Sequence, residues 1–170
     1  KVLWDVPFET PGLFLRNYAP TVVHYKDTIA CLSLERLVVY SAEDGRKLWQ
    51  TRGYAGFASP GDLFIIDDLV WTFPVTQGVR VKPADVPGMG KEFVAFDLYT
   101  GQVRKSLVKD DVWPGGHHHR CYRNKATRRY LISSRRGLEF VDLQGRNNTI
   151  NWRVKSICQY GFIPCNGLIY

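Results

Sequence analysis

Short stretches in which apolar and polar residues alternate, or in which a few apolar residues follow one another, recur from end to end of the chain. Each is bounded by Gly, Pro, Asn or Asp. Helical periodicity is absent. The pattern predicts strands over Thr28–Leu34, Leu37–Ser41, Leu63–Ile66, Leu69–Phe73, Phe93–Asp97, Tyr130–Ser133, Leu138–Asp142 and Gly167–Tyr170. Between them stand turn signals, Glu43-Asp44-Gly45, Asp67-Asp68, Tyr99-Thr100-Gly101, Gln144-Gly145 and Asn166-Gly167, where Gly or Asn adopts a positive φ at little cost. Hairpins joined as antiparallel meanders follow, and the fold class is all-β. Thr76 to Lys91 is rich in Gly, Pro and Val without steady alternation, which predicts a long connection on one face.

The runs are not independent of one another. Val38-Val39-Tyr40-Ser41-Ala42-Glu43-Asp44-Gly45-Arg46-Lys47-Leu48-Trp49 is matched by Phe93-Val94-Ala95-Phe96-Asp97-Leu98-Tyr99-Thr100-Gly101-Gln102-Val103-Arg104. A third copy runs Leu138-Glu139-Phe140-Val141-Asp142-Leu143-Gln144-Gly145 and reaches Trp152 after a short insertion. In each, an apolar strand ends at a polar turn with Gly and a further strand starts at once. Gly45, Gly101 and Gly145 are 56 and 44 residues apart, which brackets the roughly 40 to 50 residues of a propeller blade.

Composition sharpens the reading. In 170 residues, 45% are hydrophobic and 23% charged, as in a globular protein, and the 14% aromatic content favours strands. No apolar run reaches the bilayer-spanning length of about 18 residues. The start, Lys1-Val2-Leu3-Trp4-Asp5-Val6-Pro7, is unlike a signal peptide, so a leader has been removed or the piece begins inside a larger protein.

The net charge is +7, with Arg120, Arg123, Lys125, Arg128, Arg129, Arg135, Arg136, Arg146, Arg153 and Lys155 crowded into the second half. Two readings stand: a surface for an anionic ligand, or a solvated rim. Nothing indicates nucleic acid, since no nucleic-acid-binding motif is present. The cysteines, Cys31, Cys121, Cys158 and Cys165, form no CxxC pair, which argues against a zinc ribbon and a c-type haem site.

The copies resemble the pyrroloquinoline-quinone-like (PQQ-like) repeat, a strand, then Ala-x-Asp-x-x-(Thr/Asp)-Gly, then a strand closing on Trp. Ala95-Phe96-Asp97-Leu98-Tyr99-Thr100-Gly101 matches over its length. Ala42 to Trp49 matches a shortened form, and the third copy keeps Asp142 and Gly145. The Asp or Ser before the turn can accept turn N–H groups, and the Trp is a flat wedge suited to packing between blades.

His117-His118-His119-Arg120-Cys121-Tyr122-Arg123, with Cys158-Gln159-Tyr160-Gly161 and Pro164-Cys165-Asn166-Gly167, is similar to a bacterial secreted subgroup that carries this repeat. The resemblance implies a quinoprotein alcohol dehydrogenase-like β-propeller, periplasmic or secreted. The wider family includes quinoprotein dehydrogenases and an outer-membrane assembly lipoprotein, so the fold does not dictate the function. About three blades of four-stranded antiparallel sheet are visible where four to eight close a ring. The expectation is a partial propeller, with units near 20–60, 61–112 and 117–157 and a further blade starting at 158–170. The rest of the propeller or other polypeptide chains would complete it.

The conspicuous chemistry is Gly116 to Arg123. If extended, the segment places His117, His119 and Cys121 on one face, where they can ligate zinc or copper with Cys158, Cys165 or His24. A Cys158–Cys165 disulfide is the competing use of that pair. As an enzyme site, His117, His118 and His119 offer a base, Tyr122 or Tyr160 a proton donor, and Arg120, Arg123, Arg135 or Arg136 charge stabilisation. That set suits acid–base chemistry on an anionic, carbohydrate-like substrate. Against it, each Tyr, Arg and Cys is also an ordinary packing or surface residue. A quinoprotein dehydrogenase usually has a vicinal Cys pair, which this chain lacks, so PQQ binding is not supported. The sequence reading is therefore a ligand- or partner-binding module of a propeller, with an enzyme centred on His117 to Cys121 as its rival.

Overall fold

The computed structural model describes residues 1–8, 20–33, 36–52, 62–72, 92–108, 123–133, 137–145, 147–154 and 160–170, and among them the regular structure is strand alone. Three four-stranded antiparallel sheets follow one another, each in chain order. The first is β1 (Thr21–Tyr25), β2 (Thr28–Leu32), β3 (Arg36–Ser41) and β4 (Lys47–Arg52). The second is β5 (Leu63–Ile66), β6 (Leu69–Thr72), β7 (Glu92–Asp97) and β8 (Val103–Val108). The third is β9 (Lys125–Ala126), β10 (Tyr130–Ser133), β11 (Leu138–Asp142) and β12 (Thr149–Asn151), and β13 (Pro164–Cys165) with β14 (Leu168–Ile169) forms a hairpin after it.

The strands expected from hydrophobic pattern are present with ends shifted: β2 stops at Leu32, β3 begins at Arg36 and β7 at Glu92, while Phe73 lies outside the described residues. Strands β1, β4, β8, β9, β12 and β13 are additions to that expectation. The fourth strands show why apolar pattern underreads this fold. In β4 only Trp49 is buried, and the described residues of β8, Val103 to Leu107, are exposed or at most half-buried. These outer strands follow from the hairpin turn before them rather than from their own composition.

Each turn is held by the residue that ends the third strand. Asp97 accepts the backbone N–H of Tyr99 and of Thr100 and the Thr100 hydroxyl on Oδ1, while Oδ2 takes Arg104. Asp142 takes the Gln144 N–H in the same way, and Ser41 accepts the Asp44 N–H at 3.4 Å. Gly45, Gly101 and Gly145 then turn the chain at φ near 70° to 75°, a region disfavoured for a side-chain-bearing residue.

The sheets pack face on face. Leu37, Val39, Ala30 and Leu32 of the first sheet meet Leu63, Val70 and Leu98 of the second. Trp71, Phe93 and Ala95 of the second meet Leu131, Val141 and Leu143 of the third. Ile132 and Leu138 of the third meet Phe162, with Ile169 of the last hairpin against them. Each core position alternates with one facing the opposite neighbour, so every sheet serves two layers. The first strands of successive sheets lie close, β1 beside β5, and the stack is a partial β-propeller with its first strands inward.

One wedge recurs between layers. The Trp49 indole covers Gly101 and donates its N–H to the Leu98 carbonyl at 2.8 Å. Trp4 covers Gly45 and donates to the Ala42 carbonyl at 2.9 Å, the same relationship one sheet earlier. At Gly145 the covering group is Leu107, because cross-strand register puts Lys105 where Trp49 stands in the first sheet.

Candidate functional site

A meander of four strands has two unlike ends. The β1–β2 and β3–β4 turns and their counterparts lie at one, here the turn end. The β2–β3 links and the sheet-to-sheet connections lie at the other, the connection end. Contacts between sheets align them: Lys26 in the first turn pairs with Asp68 in the second sheet's at 2.6 Å, and Asp67 pairs with Arg128 of the third at 2.9 Å. Arg46–Asp44, Arg104–Asp97 and Arg129–Asp142 also lie there. Ion pairs between described residues are thus gathered at the turn end.

The connection end is built differently. Thr21, Asp62 and Arg123 occupy equivalent positions, each four residues ahead of the residue that closes its sheet's first hairpin, Tyr25, Ile66 and Thr127. Because first strands run inward, the three positions converge. The Arg123 guanidinium donates to the Thr21 hydroxyl at 3.4 Å, from the third sheet to the first. Asp62, 4% exposed, accepts the backbone N–H of Asn124 at 3.0 Å and its side-chain amide at 2.7 Å. A buried carboxylate with both oxygens engaged by donors is a satisfied one.

A second buried carboxylate stands at the connection end of the third sheet. Glu139 in β11 is 1% exposed and accepts the Ser133 hydroxyl at 2.7 Å across the β10–β11 pair. Cross-strand register aligns this pair with Cys31 and Val38 in the first sheet and with Thr72 and Val94 in the second. Glu139 thus replaces a Val. It shares a sheet face with Val141, so the carboxyl lies on the side of the third sheet that meets the second. Burying an ionisable group where the repeat elsewhere has a Val costs free energy that packing alone would not incur. Such departures from a repeat's own rule mark sites of function.

Of the residues singled out from sequence, His117, His118, His119, Arg120, Cys121, Tyr122, Cys158, Arg135 and Arg136 lie outside the described residues, as does Thr76 to Lys91. Their flanks are described: 109–122 joins the end of β8 to Arg123, so it leaves and returns at the connection end. His24 is exposed in β1 beside the first turn, at the opposite end, and so stands away from that segment's attachment. Cys165 is exposed in β13 with its thiol free, and Cys158 lies outside the described residues. Cys31 is also free, and burial pushes its thiol up, the direction of a packed, unreactive cysteine. Tyr160 is 87% exposed rather than core. Among the described residues no group of three or more His, Cys, Asp or Glu side chains is assembled for a metal, and no helix is long and apolar enough to cross a membrane.

Sequence reasoning missed Glu139, Ser133, Asp62 and Asn124. The signal for Glu139 was available: aligned on Asp97 and Asp142, the copies set Glu139 against Val94. Asp62 had none, because its burial depends on Asn124 from the next sheet.

No family model matches the chain, and no curated protein does. Among solved structures 53 chains match. One is a europium-containing methanol dehydrogenase at 18% identity and a TM-score of 0.36, with 52% of this chain and 15% of that one covered. Another is BamB from Moraxella catarrhalis at 14% identity and a TM-score of 0.46, with 75% of this chain and 34% of that one covered. The chain spans about a third of the length of BamB and less of the dehydrogenase.

Proposed function

We propose that this chain is part of an extracytoplasmic β-propeller that binds a ligand or partner polypeptide, with the connection end as its recognition end. The observation that carries this reading is the buried Ser133–Glu139 pair at that end, where the other two sheets place Val at the Glu position and Cys or Thr at the Ser position. At the same end the buried Thr21, Asp62 and Asn124 fix the strand starts, and the exposed Arg123 guanidinium, hydrogen-bonded to Thr21, is the group they present. A rigid sheet stack that presents convergent polar groups from several strand starts is the usual construction of a binding site.

The test works whatever the ligand is. A photo-crosslinking side chain is placed at Arg52 or Asn151, exposed at the connection end, and at Thr100 or Gln144, at the turn end, in the full-length protein in its native cell. Adducts from the first pair alone support the reading. Adducts confined to the second pair overturn it.

A second reading rests on the attachment of 109–122 at this end. There, His117, His119 and Cys121, with Cys158, hold zinc or copper, and His117, His118, His119, Arg120 and Tyr122 act as acid–base groups on an anionic sugar; Cys165, which closes the β13–β14 turn, stands at the turn end like His24 and is left out of that set. Elemental analysis of purified protein decides the metal part: about one zinc or copper per chain, lost in His119→Ala, supports it, and metal-free active protein refutes it.

A further inference from the structure

The two ends differ in how their charge is compensated. At the turn end Lys26, Arg46, Arg104, Arg128 and Arg129 are each held by an Asp. At the connection end Arg52 closes β4, Arg123 precedes β9 and Arg153 follows β12; all three are exposed and none forms an ion pair among the described residues. The carboxylates described there cannot screen them at the surface, because Asp62 and Glu139 are buried and accept donors from Asn124 and Ser133. Among the described residues, charge compensation is therefore uneven: the turn-end cations are paired, and the guanidinium groups of Arg52, Arg123 and Arg153 at the connection end face no described carboxylate.

Their spacing argues for a long ligand. Arg123 stands at an inward first strand, whereas Arg52 and Arg153 stand at outer fourth strands of two different sheets. Strands are about 4.8 Å apart, so first and fourth strands of one sheet are separated by roughly 14 Å. A small anion engages one of these cations, and a chain bearing regularly spaced anions engages all of them. Exposed rings accompany the cations: Trp152, 56% exposed, is adjacent to Arg153, and Tyr160 is 87% exposed. In an acidic sugar the flat apolar ring face and the anion belong to one residue, which matches an indole with a guanidinium beside it.

We infer that the connection end binds an acidic polysaccharide, one carrying uronate carboxylates or sulfates, which arginine forks recognise in the same way. This rests on that end being the recognition end and adds the class of ligand.

Affinities are measured for polygalacturonate, heparin, neutral dextran, polyglutamate and single-stranded DNA. The expected result is binding to polygalacturonate or heparin, none to dextran, and a loss of roughly tenfold when salt rises from about 50 to about 200 mM. The relative strength of the two acidic polysaccharides distinguishes carboxylate from sulfate. The triple variant Arg52→Gln, Arg123→Gln, Arg153→Gln weakens that binding by roughly tenfold or more. Arg46→Gln, Arg104→Gln, Arg128→Gln, which removes the same charge from the turn end, leaves it within about twofold. Equal losses in the two triples overturn the inference, as does tighter binding of DNA or polyglutamate than of either polysaccharide. Cross-links at the connection end without polysaccharide binding sink the ligand class and leave the recognition end standing; cross-links only at the turn end sink both.

Discussion

The Trp49 ring lies so close over Gly101 that a Cβ built on the glycine would come within 2.7 Å of the indole Cδ2. The ring is held from above as well, since its N–H reaches the Leu98 carbonyl at 2.8 Å and Phe96 lies 5.8 Å away between ring centroids. A turn glycine in one sheet is thus the seat for an outer-strand aromatic of the sheet before. The seat and the wedge set how closely the two sheets can approach.

Gly101→Ala is expected to cost about 2–4 kcal/mol, from about 1–2 for a left-handed alanine plus displacement of a packed ring. Gly167→Ala, at φ 76° with nothing within 4 Å of the new carbon, carries the backbone share alone, about 1–2 kcal/mol. Urea unfolding midpoints at constant slope report both. Equal losses would mean that the wedge contributes nothing.

Trp49→Ala removes a ring that is 9% exposed, and a loss of about 3–5 kcal/mol is expected. Trp49→Phe keeps a ring but leaves the Leu98 carbonyl without its indole donor, for about 1–3 kcal/mol. The ranking, read by thermal or chemical denaturation, distinguishes a directional wedge from simple apolar filling.

Ser133→Cys with Glu139→Val rebuilds the pair found in the first sheet, Cys31 opposite Val38. Replacing a buried polar pair by fitted apolar groups is often neutral or stabilising, so the double variant should be at least as stable as the native protein. If the pair serves recognition, the same variant loses the cross-links from the connection end. A large loss of stability instead would assign the pair to the fold.

Buried and exposed acids should part company. Asp62→Ala leaves buried Asn124 donors unmatched and is expected to cost about 1–3 kcal/mol or more. Arg128→Ala breaks an ion pair whose partners are 83% and 57% exposed, and should change stability by less than about 1 kcal/mol. Comparable effects in unfolding measurements would contradict the burial of Asp62.

Acid should loosen the β7–β8 turn before the core. Asp97 is held below the usual carboxylate range chiefly by the Thr100 backbone N–H, then by the Thr100 hydroxyl, the Tyr99 N–H and Arg104, with its slight burial acting the other way. A carboxyl whose folded pKa is depressed contributes stability above its unfolded value, about 3.9, and that contribution is lost as pH falls through the folded value. Asp97→Asn should flatten the dependence of unfolding free energy on pH below about 4. An unchanged slope would show that the turn bonds do not titrate with folding.

How much of this was legible in one dimension depended on the range of each interaction. Strand, polar turn and Gly are local, and their recurrence at Gly45, Gly101 and Gly145 specified antiparallel hairpins at blade spacing, because turn dihedrals and side-chain alternation depend on immediate neighbours. Pattern alone underread the outer strands β8 and β12, which have few buried residues. The burial of Asp62 against Asn124, the reach of Arg123 to Thr21 and the sorting of ion pairs to one end join residues far apart in the chain. Their proximity exists only once the sheets stack with first strands inward. Glu139 lies between the two cases: its identity is local, but its meaning follows from the layer that buries it.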